Sequence, residues 1–261
     1  MNLNLENKNA LVGGSTQGIG KATAIELALL GANITLVARD ENKLKATVLE
    51  LPNNGKQKHD YILADYSQPE VLKQKVGELV KLKNIHILVN NTGGPAGGPI
   101  ADAKLEEFTQ TFSNHLLCNH ILMQACVDGM KKDGYGRIIN IISTSVKQPL
   151  KGLGVSNTIR AAVANWSKTL SLELAPFGIT VNNVLPGATN TVRVSNLLDA
   201  KSKKTGHSVE ALAKEMVAEI PAGRFAESHE VASAVAFLAS PAAAYINGIN
   251  IPVDGGRTGN L

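Results

Sequence analysis

Seven short apolar runs recur along the chain: NALVGG (9–14), NITLVA (33–38), DYILA (60–64), HILVN (86–90), RIINII (137–142), ITVNNV (179–184) and INIPV (249–253). Between them lie longer stretches whose apolar residues return every three or four positions, as Ile159, Val163, Trp166, Leu170 and Leu174 do. That spacing marks one face of a helix, whereas a short unbroken apolar run fits a strand covered on both faces. Strict alternation of the two predicts a doubly wound α/β fold, a parallel sheet of about seven strands with helices on both faces. No linker, composition shift or repeat divides the chain, so the expected unit is one domain over 1–261. Ligands on such a sheet bind beyond the carboxyl ends of the strands, so candidate chemistry is sought just after each run.

Composition narrows the classes. A hydrophobic content of 44% with 18% charged residues describes a soluble globule. The net charge of +4 is scattered apart from Lys201, Lys203 and Lys204, which read as a solvated face. With aromatics at only 4% and no basic stripe, nucleic acid is not an expected partner. Cys118 and Cys126 fall on one predicted helix, where a rise of about 1.5 Å per residue sets them roughly 12 Å apart, too far for a disulfide. Free thiols fit a reducing compartment. The opening MNLNLENKNA lacks the basic start and apolar run of a signal peptide, and the expected location is cytoplasmic. Residues 231–253 carry no charge, but Pro241, Asn247, Gly248, Asn250 and Pro252 interrupt them, so they read as a helix, a turn and a buried strand rather than a membrane span.

The strand ends carry polar signals. Gly14, Gly18 and Gly20 follow the first run and lead into a helix. Glycine there serves a tight turn, or lets the backbone and a helix N-terminus cradle a diphosphate; this segment alone favours neither. The second run ends at Arg39 and Asp40. A basic residue at this place accommodates the 2′-phosphate of NADP, an acid holds the ribose of NAD, and a surface ion pair between the two is the plain alternative. Asp65, after the third run, either accepts from an adenine amine or caps the next helix. Asn90 and Asn91 end the fourth run, ahead of the loop TGGPAGGP, where they can bind a cofactor or tie strands together.

Taken together, GGSTQGIG, NNTG, RIINIIS, NNVLPG and VDGG resemble the short-chain dehydrogenase/reductase family over nearly the whole chain, and more narrowly its branch related to β-ketoacyl-carrier-protein reductases. The resemblance implies a Rossmann dinucleotide-binding domain that uses NADP, with NAD possible, and no metal. It places the cofactor on Gly14, Ser15, Thr16, Gln17, Gly18, Ile19 and Gly20 of the turn. Arg39, Asp65, Tyr66, Asn90, Asn91, Gly93 and Arg160 follow, then Pro186, Gly187, Thr189 and Thr191 toward the nicotinamide. It implies a substrate lid over residues 192–221, a small or acyl substrate, and a homo-oligomer, tetramer or dimer, joined through small residues near the C-terminus.

The family's catalytic set is Asn, Ser, Tyr and Lys, the last two spaced Y-x-x-x-K. Carried over, Ser143 is present, Ser156 stands for the Tyr, Arg160 for the Lys, and His115, with Asn114 before it, for the Asn. A serine hydroxyl is a far weaker acid than a tyrosine and ends short of its oxygen. Ser156 therefore reads as an N-cap of the helix that carries Trp166. Arg160 stays protonated, so it holds a ribose or steadies an oxyanion rather than relaying a proton, unless it pairs with Glu173 or Asp254. His115 titrates in the range of acid–base work or packs in the core. The expected function is carbonyl reduction or alcohol oxidation, with Ser143 orienting the carbonyl. The alternatives are a catalytically silent dinucleotide-binding or sensing protein, and elimination or isomerisation with His115 as base.

Overall fold

A computed structural model describes residues 1–260. Its seven strands are β1 (Asn9–Gly13), β2 (Asn33–Ala38), β3 (Asp60–Leu63), β4 (Ile87–Asn90), β5 (Gly136–Ile141), β6 (Ile179–Pro186) and β7 (Asn250–Val253). They form one parallel sheet in the order β3-β2-β1-β4-β5-β6-β7. The order reverses between β1 and β4, which opens a crevice at their carboxyl ends.

Alternation along the inner strands feeds two cores. Val12, Leu36, Val89 and Ile139 pack with α1 (Gly18–Leu29) and α9 (Ser228–Ala239) on one face. Leu11, Val37, Leu88 and Ile138 pack on the other with α3 (Pro69–Leu82), α5 (Cys118–Asp133) and α6 (Gly154–Leu174). Burial on both faces explains why the runs are apolar throughout rather than alternating. The two edges depart from that expectation. Leu63 of β3 is 39% exposed, and β7 is half-buried with Pro252 exposed. An edge strand lacks a neighbour on one side, and proline, with no N–H to give, is tolerated there. Residues 231–253 are thus a helix, a turn and an edge strand. No helix among the described residues is long and apolar enough to cross a membrane.

A row of amides crosses the sheet. Asn90, Asn140, Asn183 and Asn250 are register partners on β4 to β7. Asn90 Nδ2 donates to Asn140 Oδ1 at 2.8 Å, Asn140 Nδ2 to Asn183 Oδ1 at 2.9 Å, and Asn183 Nδ2 to Asn250 Oδ1 at 2.8 Å. The first three are buried, so each bond spares an amide the roughly 1–3 kcal/mol cost of going unpaired. The row pins the strands side by side just below the crevice.

The helix over the second core is not uniform. It runs through α4 (Leu105–Phe112), a π-helical turn (Ser113–Leu117) and α5. The wider turn falls beside the crevice, where such bulges often mark function. Cys118 and Cys126 lie on α5, both buried and free; burial pushes their thiols up to about 11 and about 12. The stretch after the PG turn forms α7 (Val192–Thr205) and α8 (Val209–Ala218). The remaining helix, α2 (Glu41–Glu50), follows β2.

Candidate active site

A cleft of about 590 Å³ opens over the strand ends at the reversal point. Its floor is the turn after β1. Gly14 and Gly18 have φ of 55° and 54°, the left-handed region that glycine enters without strain. At Gly20 the need is space, because a Cβ there would lie 2.2 Å from the carbonyl oxygen of Gly14. Asn91 holds the turn from the β4 side, its Nδ2 donating to the oxygens of Gly13 and Gly14 at 3.1 and 3.3 Å. At the start of α1, Gln17 makes no side-chain cap bond and the first turn holds no acid. The orphan N–H groups of that helix end therefore face a cleft lined by Thr16, Gln17, Gly18 and Ile19. The turn requires these glycines, and the start of the helix behind it opens into the cleft.

Four of the expected site residues do not line this cleft. Ser15 is fully buried and clamps the turn to β2, accepting from Val37 N at 3.0 Å. Gly20 is buried where α1 packs on the turn, and Asn90 is spent in the amide row. His115 is buried behind the loop, its Nε2 3.1 Å from the carbonyl oxygen of Gly93.

At the β2 end, Asp40 caps α2, accepting from Lys43 N at 3.1 Å, and also meets Lys43 Nζ at 3.7 Å. The ion pair weighed for Arg39 and Asp40 is thus absent among the described residues. Arg39 lines the cleft as an exposed cation. Asp65 also lines it, accepting from Ser67 N at 2.9 Å in a tight turn. It does not cap α3, which begins four residues later at Pro69 behind Gln68. Tyr66 lies below, its hydroxyl 2.4 Å from where a Cβ on Gly13 would sit, and burial pushes its pKa well up.

The far end carries Ser143, Ser156 and Arg160, the residues that the resemblance sets at the catalytic positions. Ser143 caps a short turn after β5, accepting from Ser145 N at 3.1 Å. Ser156 is not the N-cap of α6: that position is Leu153, and Ser156 lies inside the first turn. Its Oγ accepts from Arg160 Nε at 3.2 Å. The spacing that looked like a cap instead sets two side chains one turn apart on one face. Arg160 Nη1 donates to the oxygens of Ile141 and Ile142 at 3.3 and 2.7 Å. Neither Glu173 nor Asp254 reaches it; the Asp254 carboxylate binds Gly256 N and Thr258. Desolvation, with the charge of Arg193 beside it, lowers the Arg160 pKa to about 10, so the side chain stays charged at neutral pH.

His115 shares that field. Burial, then Arg160, lower its pKa to about 3 against the opposing bond to Gly93. It is neutral, and because a carbonyl only accepts, Nε2 carries the proton. A packed core histidine, not a base in the cleft, is what the fold makes of it. Pro186, Gly187, Thr189 and Thr191 line the wall beyond β6.

The sequence reading passed over several lining residues: Arg193, Thr92, Gly94, Leu150, Leu153 and Leu197. Arg193 stands two residues into α7, and its Nη1 and Nη2 donate to the oxygens of Gly94 and Pro95 at 3.2 and 2.6 Å. The signal was faint, one cation among several in a polar segment. Met216 of α8 and the three leucines give this end an apolar wall.

Comparison with known proteins places the site in context. Residues 14–258 match the family model described as enoyl-(acyl carrier protein) reductase. The chain is 37% identical to a 3-oxoacyl-(acyl-carrier-protein) reductase of Vibrio cholerae over 256 residues, covering 97% of this chain and 98% of that protein. Among solved structures it resembles L-sorbose reductase of Gluconobacter frateurii complexed with NADPH and L-sorbose. The TM-score there is 0.93 at 31% identity, over 100% of both chains. It also resembles an actinorhodin polyketide ketoreductase with NADPH, with a TM-score of 0.90 at 31% identity over 97% and 98% of the chains.

Proposed function

This chain belongs to the short-chain dehydrogenase/reductase family, and we propose that within it the protein is an NADP(H)-preferring oxidoreductase that reduces a carbonyl or oxidises an alcohol on a small or acyl substrate. One observation carries the reading. The glycine cradle and the open start of α1 share one cleft with Arg39, which no acid neutralises there because Asp40 is spent on α2. A diphosphate suits the first feature and a 2′-phosphate the second. The reductase names and bound NADPH of the relatives support the choice over a silent sensor.

Bound in the cleft, the dinucleotide supplies or takes up the hydride. The chain's own residues do the rest. Ser143 lines the cleft, and in this reading its hydroxyl orients a substrate carbonyl. Arg160 has both Nη2 hydrogens uncommitted, so it holds a ribose hydroxyl and favours negative charge growing on a substrate oxygen. Ser156 accepts from Arg160 and keeps it aimed, and the proton then comes from water. Helices α7 and α8 act as the lid and bring Met216 and Leu197 against the substrate. We place the protein in the cytoplasm on its free, buried thiols, and read it as a homo-oligomer joined through α9 and the exposed edge of β7.

Calorimetric titration tests the reading. NADPH should bind at least tenfold more tightly than NADH; a protein that binds neither dinucleotide would defeat it.

A further inference from the structure

At the reacting end of the cleft two cations face each other without an anion. A Cβ built on Gly94 would lie 3.3 Å from Arg160 Nη2 and 3.2 Å from Arg193 Nη2, so both guanidinium tips converge on one spot. Neither arginine takes part in an ion pair among the described residues. Asp65, at the adenine end, is the one carboxylate among the described lining residues. Their partners are neutral: Ser156 and the carbonyls of Ile141 and Ile142 for Arg160, and those of Gly94 and Pro95 for Arg193.

A guanidinium has five N–H donors. Arg160 commits its Nε and Nη1, leaving Nη2 free, while Arg193 commits one hydrogen each of Nη1 and Nη2 and leaves Nε free. Like charges brought this close in a partly desolvated place repel, and burial with mutual repulsion holds Arg160 below its ordinary value. An arrangement that is unfavourable alone becomes favourable once an anion sits between the two forks, because planar guanidinium groups match a carboxylate in geometry as well as charge. Beside them stand Leu150, Leu153, Leu197 and Met216, all apolar.

Resting on the oxidoreductase reading, we propose that the substrate is an apolar molecule bearing its own carboxylate close to the reacting carbon, and that Arg193 with Arg160 binds that carboxylate. The anion belongs to the substrate's reacting portion, because the forks stand beside Ser156 and Ile142, the neighbour of Ser143 to which the proposed function gives the substrate carbonyl. The phosphates of the dinucleotide have the glycine turn and Arg39. Arg193 thus contributes to specificity, and because it starts α7 and bonds the loop after β4, the carboxylate also ties the lid shut.

The test uses the whole chain and two probes, 3-phenylpropanoate and its neutral isostere 3-phenylpropanamide, titrated calorimetrically into protein with and without saturating NADP⁺. The acid should bind at least about tenfold more tightly than the amide. Arg193→Met, which keeps the stem and removes the charge, should erase that preference, and Arg193→Lys should restore part of it. NADPH affinity should change less than about threefold in either variant, as expected of a residue off the cofactor. Equal binding of acid and amide overturns the proposal, as does a preference that survives Arg193→Met. A tenfold loss of NADPH affinity in that variant overturns it too, since the guanidinium would then serve a cofactor phosphate. If neither dinucleotide binds, the functional reading falls by itself, and the acid–amide comparison on cofactor-free protein still decides the arginine site.

Discussion

Arg160 donates from Nε to the hydroxyl oxygen of Ser156 at 3.2 Å, one helical turn away on the same face of α6. A charged, nearly undeprotonatable donor thus leans on a weak acid where the family resemblance leads one to look for a tyrosine and a lysine. The pair can orient and polarise but cannot deliver a proton at neutral pH.

Restoring the acid tests whether only the proton donor differs. Ser156→Tyr combined with Arg160→Lys should raise turnover of simple ketones with NADPH by about 10²–10⁴-fold, the usual worth of a positioned general acid. NADPH oxidation, followed by absorbance with a panel of ketones, reads the outcome. A variant that folds, binds NADPH and gains nothing would show that the pocket itself differs.

Arg39 and Asp40 stand side by side with separate duties. Arg39→Ala should weaken NADPH binding by about 10–100-fold, one charge-assisted contact, while NADH binding stays unchanged. Asp40→Ala should do the reverse, costing about 0.5–2 kcal/mol of stability through the lost cap of α2 and leaving NADPH affinity alone. Calorimetry and thermal melts on the two variants separate these effects.

Gly20→Ala drives a methyl group into the carbonyl of Gly14. Overpacking of this kind costs about 1–3 kcal/mol, and backbone contact at 2.2 Å belongs at the upper end. The melting temperature should fall by about 2–4 °C for each kcal/mol. NADPH binding should fall with it if the turn is the diphosphate cradle that we propose.

Breaking the amide row should be felt throughout the sheet. Asn140→Ala leaves Asn90 Nδ2 and Asn183 Oδ1 without partners, and two orphaned buried groups cost about 2–6 kcal/mol. Urea unfolding measures the loss. A change under about 1 kcal/mol would mean that the row adds little to holding β4, β5 and β6 together.

His115 sets an acid limit on stability. Its folded pKa of about 3 lies below the ordinary 6.5, held there by burial first and by Arg160 and Arg193. Between those values the unfolded chain binds a proton that the folded one refuses, so unfolding gains on folding as pH falls. The contribution is fully present above about pH 6.5 and is lost at up to about 1.4 kcal/mol per pH unit toward pH 3. His115→Gln should flatten that part of the stability curve. A curve as steep as that of the unaltered chain would count against it.

The sequence by itself determined the seven strands, their parallel pairing and the place of the cleft: burial on two faces makes the inner runs apolar throughout, and the half-exposed edge runs of β3 and β7 were marked by their alternation with helical stretches. It also pointed to the glycine turn, since a left-handed φ at Gly14 and Gly18 and the contact at Gly20 leave little choice of residue. Only the tertiary structure decided what the polar residues near the cleft do. Ser156 looked like a cap and became a partner of Arg160; of the two readings open for Asn90, ligand or tie between strands, the fold chose the tie; of those open for His115, base or packed core residue, it chose the core. Arg193 drew no notice until α7 folded back onto Gly94, a hundred positions away in all but one. Hydrophobic periodicity is a local property of the chain. A polar group's role depends on which distant group meets it and how much water is left, and neither is written in its neighbours.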